Sequence, residues 1–166
     1  MTFGNVRIVL VGTTHPGNIG STARAMKTMG FSRLQLVQPR EFPSAEAKSM
    51  AAHANDVLDA ATVHESLEEA LAGASLVAGL SARPRRLSAP AVTLRDSARQ
   101  VMSEAGQQEV ALLFGREHSG LTNEELDRCH LLVHIPANPD YSALNLAAAV
   151  QVVCYELRMA ALGEGS

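Results

Sequence analysis

Five short runs rich in Val, Ile and Leu punctuate the chain, at positions 6–11, 34–37, 75–80, 110–114 and 131–135. None alternates apolar with polar residues as a half-solvated antiparallel strand does. The pattern therefore predicts parallel strands covered on both faces. Between them the sequence predicts helices at 19–29, 65–72, 94–104 and 123–129, the last preceded by Thr122 and Glu125 at capping-box spacing. An Ala-rich stretch, 44–59, predicts further helix without sharp limits. The apolar stretch 143–162 predicts a last, buried helix, with Asp140 or Ser142 as its cap. Asn145, Gln151, Glu156 and Arg158 interrupt that stretch, more polar groups than a membrane span carries. Strand and helix alternate, which predicts an α/β fold with a mostly parallel sheet flanked by helices.

Composition narrows this picture. A chain of 166 residues, 46% hydrophobic and 19% charged, predicts one globular domain. The start lacks the basic region and cleavage site of a signal peptide, so a cytoplasmic location is expected. Cys129 and Cys154 have no CxxC spacing and predict neutral thiols rather than a metal site. A net charge of -3 does not advertise nucleic-acid binding, so any such contact must come from local clusters. Residues 163–166 are small and polar, as in a flexible end.

In open parallel sheets, ligands bind beyond the carboxyl ends of the strands, and the unusual residues fall there. Gly12 and Gly17 have the first spacing of a phosphate loop, but Asn18 and Ile19 stand where Lys and Ser or Thr are required, which disfavours nucleotide hydrolysis. Arg24, about two helical turns beyond Asn18, could meet an anion. Glu117 could hold a loop or a ligand, or pair locally with Arg116. Arg83, Arg85 and Arg86 form the densest basic cluster, either a phosphate contact or a solvated loop. His130 and His134 are four residues apart, about 13 Å along a strand, and cannot share a metal ion. His15 and His118 suit polar contacts better than metal ligation.

Three segments, Asn-Ile-Gly-Ser-Thr-Ala-Arg at 18–24, Leu-Phe-Gly-Arg-Glu-His-Ser-Gly-Leu at 113–121 and Ile-Pro through Tyr-Ser-Ala-Leu-Asn at 135–145, resemble in order the three motifs of the SPOUT RNA methyltransferases. Val-Gly-Thr-Thr-His-Pro-Gly-Asn-Ile-Gly at 11–20 and Thr-Asn-Glu-Glu-Leu at 122–126 resemble the TrmJ-type tRNA 2′-O-methyltransferases within them. The resemblance implies a C-terminal trefoil knot, which strand counting does not predict. It implies a catalytic domain over 1–162, with a C-terminal extension following in such enzymes, and a homodimer whose active site is completed across the interface.

It further implies S-adenosylmethionine as methyl donor, S-adenosylhomocysteine as product, no metal, and tRNA as substrate, with cytidine or uridine at nucleotide 32 of the anticodon loop as target. Carried over, cofactor contacts fall on Leu80, Ser81, Ala82, Gly115, Glu117, Ile135, Ser142, Ala143 and Leu144. Leu80 stands where the family favours Thr, and Ala143 where Ser is frequent; backbone contacts would tolerate both. The catalytic set falls on Arg24, Asn18, Ser142 and Asn145, and RNA contacts on Arg83, Arg85, Arg86 and Arg116. An arginine stays protonated, so Arg24 is expected to act as a cation rather than as a base. Methylation of another tRNA position or of ribosomal RNA, and a noncatalytic RNA- or nucleotide-binding module, are the alternatives.

Overall fold

Seven strands, all parallel, form a single sheet in the order β3-β2-β1-β6-β4-β7-β5 in the computed structural model, which describes residues 2–81, 89–140 and 144–163. The strands are β1 (Val6–Val11), β2 (Arg33–Val37), β3 (Thr62–His64), β4 (Ala74–Leu80), β5 (Ala91–Thr93), β6 (Glu109–Phe114) and β7 (Leu131–His134). The helices are α1 (Pro16–Thr28), α2 (Ala45–Ala51), α3 (Asn55–Asp59), α4 (Leu67–Leu71), α5 (Leu94–Ala105), α6 (Asn123–Asp127) and α7 (Leu146–Leu162).

All five strands expected from apolar runs are present. The central ones are buried on both faces: along β1, Ile8 and Leu10 enter one core while Val9 and Val11 enter the other. The larger core packs the sheet against α1, α2, α3, α5 and α7, and the smaller against α4 and α6. The two strands missing from the sequence reading, β3 and β5, are three-residue pieces at the two margins of the sheet. Val63 of β3 is 51% exposed, so burial leaves no apolar run there to read.

Helix boundaries also moved. The 44–59 stretch is two helices, broken where Ala52 takes a φ of 54°. α1 begins at Pro16, three residues earlier than expected; Pro fits a first helical turn, which needs no N–H donor there. α7 begins at Leu146, and its cap is neither Asp140 nor Ser142 but Asn145, whose side chain accepts from the Ala148 N–H at 2.8 Å. The capping box of Thr122 and Glu125 forms as expected. Among the described residues no helix is long and apolar enough to cross a membrane.

α1 and α2 meet at Gly20. A Cβ there would overlap the Ala47 carbonyl and lie 2.9 Å from the Ala51 nitrogen, so backbone, not a flexible side chain, occupies the space. Gly20→Ala is expected to cost about 2 kcal/mol or more as an overpacked contact, lowering Tm by roughly 4–8 °C for a domain of this size. Gly163→Ala, with nothing within 4 Å of its new methyl group, is the control and should stay within about 0.5 kcal/mol of wild type. Thermal unfolding of the two variants checks this; an unchanged Tm for Gly20→Ala would contradict the close packing.

Candidate functional site

The carboxyl ends of β1, β6, β4 and β7 lie side by side, and the loops that leave β1 and β6 are tied by one side chain. Glu117, three residues beyond β6, accepts the Thr14 N–H at 2.9 Å, the Thr14 hydroxyl at 3.0 Å, the His15 N–H at 3.0 Å and the Asn18 side-chain amide at 2.8 Å. These donors surround the start of α1. That helix has no acidic residue in its first turn, and its N-cap, His15, makes no capping hydrogen bond of its own. Glu117 thus supplies from a distant loop the anion that a helix N-terminus favours. Burial would raise its pKa, but the hydrogen bonds from Thr14, Asn18 and His15 prevail and hold it at about 2.

A second brace fixes the β6 loop itself. Arg116 pairs bidentately with Glu125 at 2.9 and 3.0 Å and donates to the Gly120 carbonyl. Its partner is the capping-box residue of α6, not the adjacent Glu117. Expected on RNA, Arg116 therefore has its guanidinium committed within the chain. Gly12, at a φ of +66°, lets this guanidinium lie against its backbone: a Cβ there would come within 2.7 Å of Nε. Gly115 is needed equally, because a Cβ would overlap the backbone of Gly120 and Leu121.

The structure separates the two motif-one residues. Asn18 turns to Glu117, whereas Arg24 lies six residues on, about 9 Å along the axis and about 120° away around it. Arg24 is exposed, and its guanidinium has no partner among the described residues. Leu80 ends β4 and Ser81 follows it, with the Ser81 N–H on the Val133 carbonyl at 2.9 Å, and Ile135 follows β7. Leu144 is 43% exposed ahead of α7. Asn145 spends its side-chain oxygen on capping α7. Ala82, Arg83, Arg85, Arg86, Ser142 and Ala143 lie outside the described residues.

Sequence reasoning missed Thr14, the main partner of Glu117, and Thr13, whose hydroxyl is buried without a partner among the described residues. Neither carries a local signal, because the partner of Thr14 lies 103 positions away. Cys129 and Cys154, by contrast, behave as read: burial pushes both thiols up to about 12.

The carboxylate tie has a sign that can be tested. A depressed folded-state pKa contributes stability that is present above the ordinary value of 4.5 and is lost as pH falls through about 2. Amide exchange at Thr14 and His15 should therefore be protected at neutral pH and should lose protection in that acid window. Glu117→Gln, which lacks the second anionic oxygen, should raise exchange at both amides at neutral pH while core strands stay protected. Unchanged exchange at Thr14 would remove the tie from the account.

A chain with these loops has many relatives. Residues 5–155 match the family model described as the SpoU rRNA Methylase family. A tRNA (cytidine/uridine/adenosine-2′-O-)-methyltransferase TrmJ of Pseudomonas aeruginosa is 56% identical over 156 residues, covering 93% of this chain and 61% of that protein. The chain thus spans about 61–66% of the length of the first curated relatives it matches. A solved structure of a probable methylase family protein from Haemophilus influenzae superposes with a TM-score of 0.93 at 50% identity, covering 98% of this chain and 69% of the other. TrmJ from Z. mobilis superposes with a TM-score of 0.87 at 35% identity, covering 92% and 67% respectively. With the family model reaching from the turn before β1 well into α7, this chain belongs to the SpoU rRNA methylase family.

Proposed function

We propose that the chain is the catalytic part of an S-adenosylmethionine-dependent tRNA ribose 2′-O-methyltransferase, with cytidine or uridine at nucleotide 32 of the anticodon loop as its target. The observation that carries this reading is the geometry of α1. Its start is fastened by Glu117, and farther along it presents Arg24, a cation without a partner among the described residues. The 56% identity to a relative named for tRNA 2′-O-methylation supports the choice of reaction and of RNA.

The residues present fit the cofactor. Adjacent strand ends leave Leu80 and Ile135 partly open, and Leu144 is open ahead of α7, apolar surface of the kind that an adenosine group, flat and mostly uncharged, requires. The assigned contacts are Leu80, Ser81, Ala82, Gly115, Ile135, Ser142, Ala143 and Leu144, with Glu117 shaping the loop that bears Gly115. When bound, S-adenosylmethionine supplies an electrophilic methyl group on a sulfonium.

The chain's own contribution is alignment and charge. Holding ribose and methyl donor in register can lower a barrier by about 7–11 kcal/mol in favourable cases. Arg24, always protonated, orients the ribose or its phosphate and stabilises the negative charge that develops on the 2′-oxygen. Asn18 and Asn145 act through the helix starts they hold, and Ser142 lies between the cofactor segment and α7 in sequence. Arg83, Arg85 and Arg86 are assigned to the RNA backbone, whereas Arg116 serves by bracing its loop.

Two further features of this reading concern architecture. β7 lies between β4 and β5, which are consecutive in sequence; this strand order supports the expected knot. Tyr155, Met159 and Leu162, 46%, 47% and 60% exposed, form a stripe at helical spacing on α7. A second copy covering that stripe would form the expected homodimer, with Arg24 as part of the active site completed across it.

Calorimetry with S-adenosylmethionine, after removal of any bound product, should show binding, and methyl transfer to tRNA should map to one ribose. A folded protein that binds no cofactor would refute the proposal. Arg24→Ala should keep cofactor affinity while turnover falls about 100-fold or more; near-normal turnover would withdraw its role.

A further inference from the structure

The chain is poor in the rings that RNA-binding sites use for stacking, with no Trp, two Tyr and four Phe. Phe31 and Phe114 are buried, Phe3 and Phe42 pack against the larger core, Tyr155 belongs to the stripe on α7, and Tyr141 lies outside the described residues. Histidine rings are the remaining flat surfaces, and two of the six are hydrogen-bonded elsewhere. His64 bonds to Gln35 at 2.6 Å, His130 accepts the Val77 N–H at 2.9 Å, and His134 has a buried Nδ1. His53 lies between α2 and α3, outside the loops that directly follow β1 and β6.

His15 and His118 differ from all of these. They sit on the two loops that Glu117 joins, both exposed, with ring centroids 6.3 Å apart and planes at 75°. Their backbone is fixed, since the His15 N–H is on Glu117 and His118 is the next residue after that carboxylate. Neither ring makes a hydrogen bond among the described residues, and the His15 side chain does not cap α1 although it occupies the cap position. Two imidazoles are thus held on the rim by a rigid carboxylate tie yet take no part in holding it.

The geometry points to a nucleobase platform: His15 and His118 together receive an unpaired base of the RNA substrate, one ring against its face and the other against its edge. Single-stranded RNA is recognised largely by stacking unstacked bases on aromatic rings, His included. A negatively charged chain without a general basic excess gains most from such contacts, because its phosphate attraction is weak. The inference rests on the RNA methyltransferase reading and adds to it the surface that positions the base beside the reacting ribose.

Steady-state methylation of a tRNA transcript by the wild type, His15→Ala, His118→Ala, His15→Phe and His118→Phe proteins tests it, with calorimetry of S-adenosylmethionine on each. Each Ala variant should raise KM for the transcript roughly tenfold while cofactor affinity and Tm stay at wild type. Each Phe variant should recover most of the loss, because stacking needs a ring and not its nitrogens. An unchanged KM in both Ala variants overturns the platform, as do Phe variants as defective as the Ala ones, which would assign the rings to proton transfer or hydrogen bonding. Wild-type protein that binds cofactor but methylates no RNA overturns the parent reading, and the platform with it.

Discussion

One ionised carboxylate, placed where several polar hydrogens have no other acceptor, organises the working end of this molecule. Glu117 costs desolvation and is repaid by donors from Thr14, His15 and Asn18. The consequence is geometric. Loops that leave two neighbouring strands become one rigid surface, and the first turn of α1 receives its negative partner from outside its own sequence. Whatever α1 presents farther along, including Arg24, inherits its position from that anchor.

A second carboxylate stands at the opposite end of β6, the strand that leads to Glu117. Glu109 opens β6 and takes the guanidinium of Arg7 at 2.6 Å and of Arg33 at 2.9 Å, while Arg7 also donates to the Ala70 carbonyl. Those arginines hold its pKa below the ordinary carboxylate value, against the opposing effect of burial. β6 thus ties three adjacent strands together at their amino ends through Glu109 and two loops at its carboxyl end through Glu117. The ends do different work: at one, the carboxylate is held by two guanidinium groups, whereas at the other Glu117 is satisfied by neutral donors and Arg24 has no partner among the described residues. Arg24 is thus an exposed cation on the helix whose start Glu117 holds, where a polyanion could approach.

The central layers of the fold were legible in the sequence because burial on both faces writes itself as continuous apolar runs, as in β1 and β6. The margins were not: β3 and β5 are held by pairing with a neighbour, and three residues of which none is fully buried carry no such signature. The α6 capping box was legible because its partners are three residues apart, and the cap of α7 was misplaced because several candidate residues precede that helix. At the site, the family pattern named Asn18, Glu117 and Gly115, but not that Asn18 and Glu117 bond to each other or that Arg116 turns to Glu125. Those pairings depend on which loops the sheet brings together, and strand order is not written in any one segment.

Strand order also bears on how the chain acquires its structure during synthesis. β5 pairs only with β7, and β4 pairs with β7 on one side, so residues 74–93 leave the ribosome well before the strand that must seat between them. Until residues 131–134 emerge, a nascent chain has one flank of β4 unpaired and β5 without a neighbour. Such open backbone edges are templates for pairing with the wrong chain. Seating that four-residue strand is a late event, because both of its neighbours precede it in the chain and its pairings are non-local. Chaperone dependence should accordingly concentrate on that interval of translation.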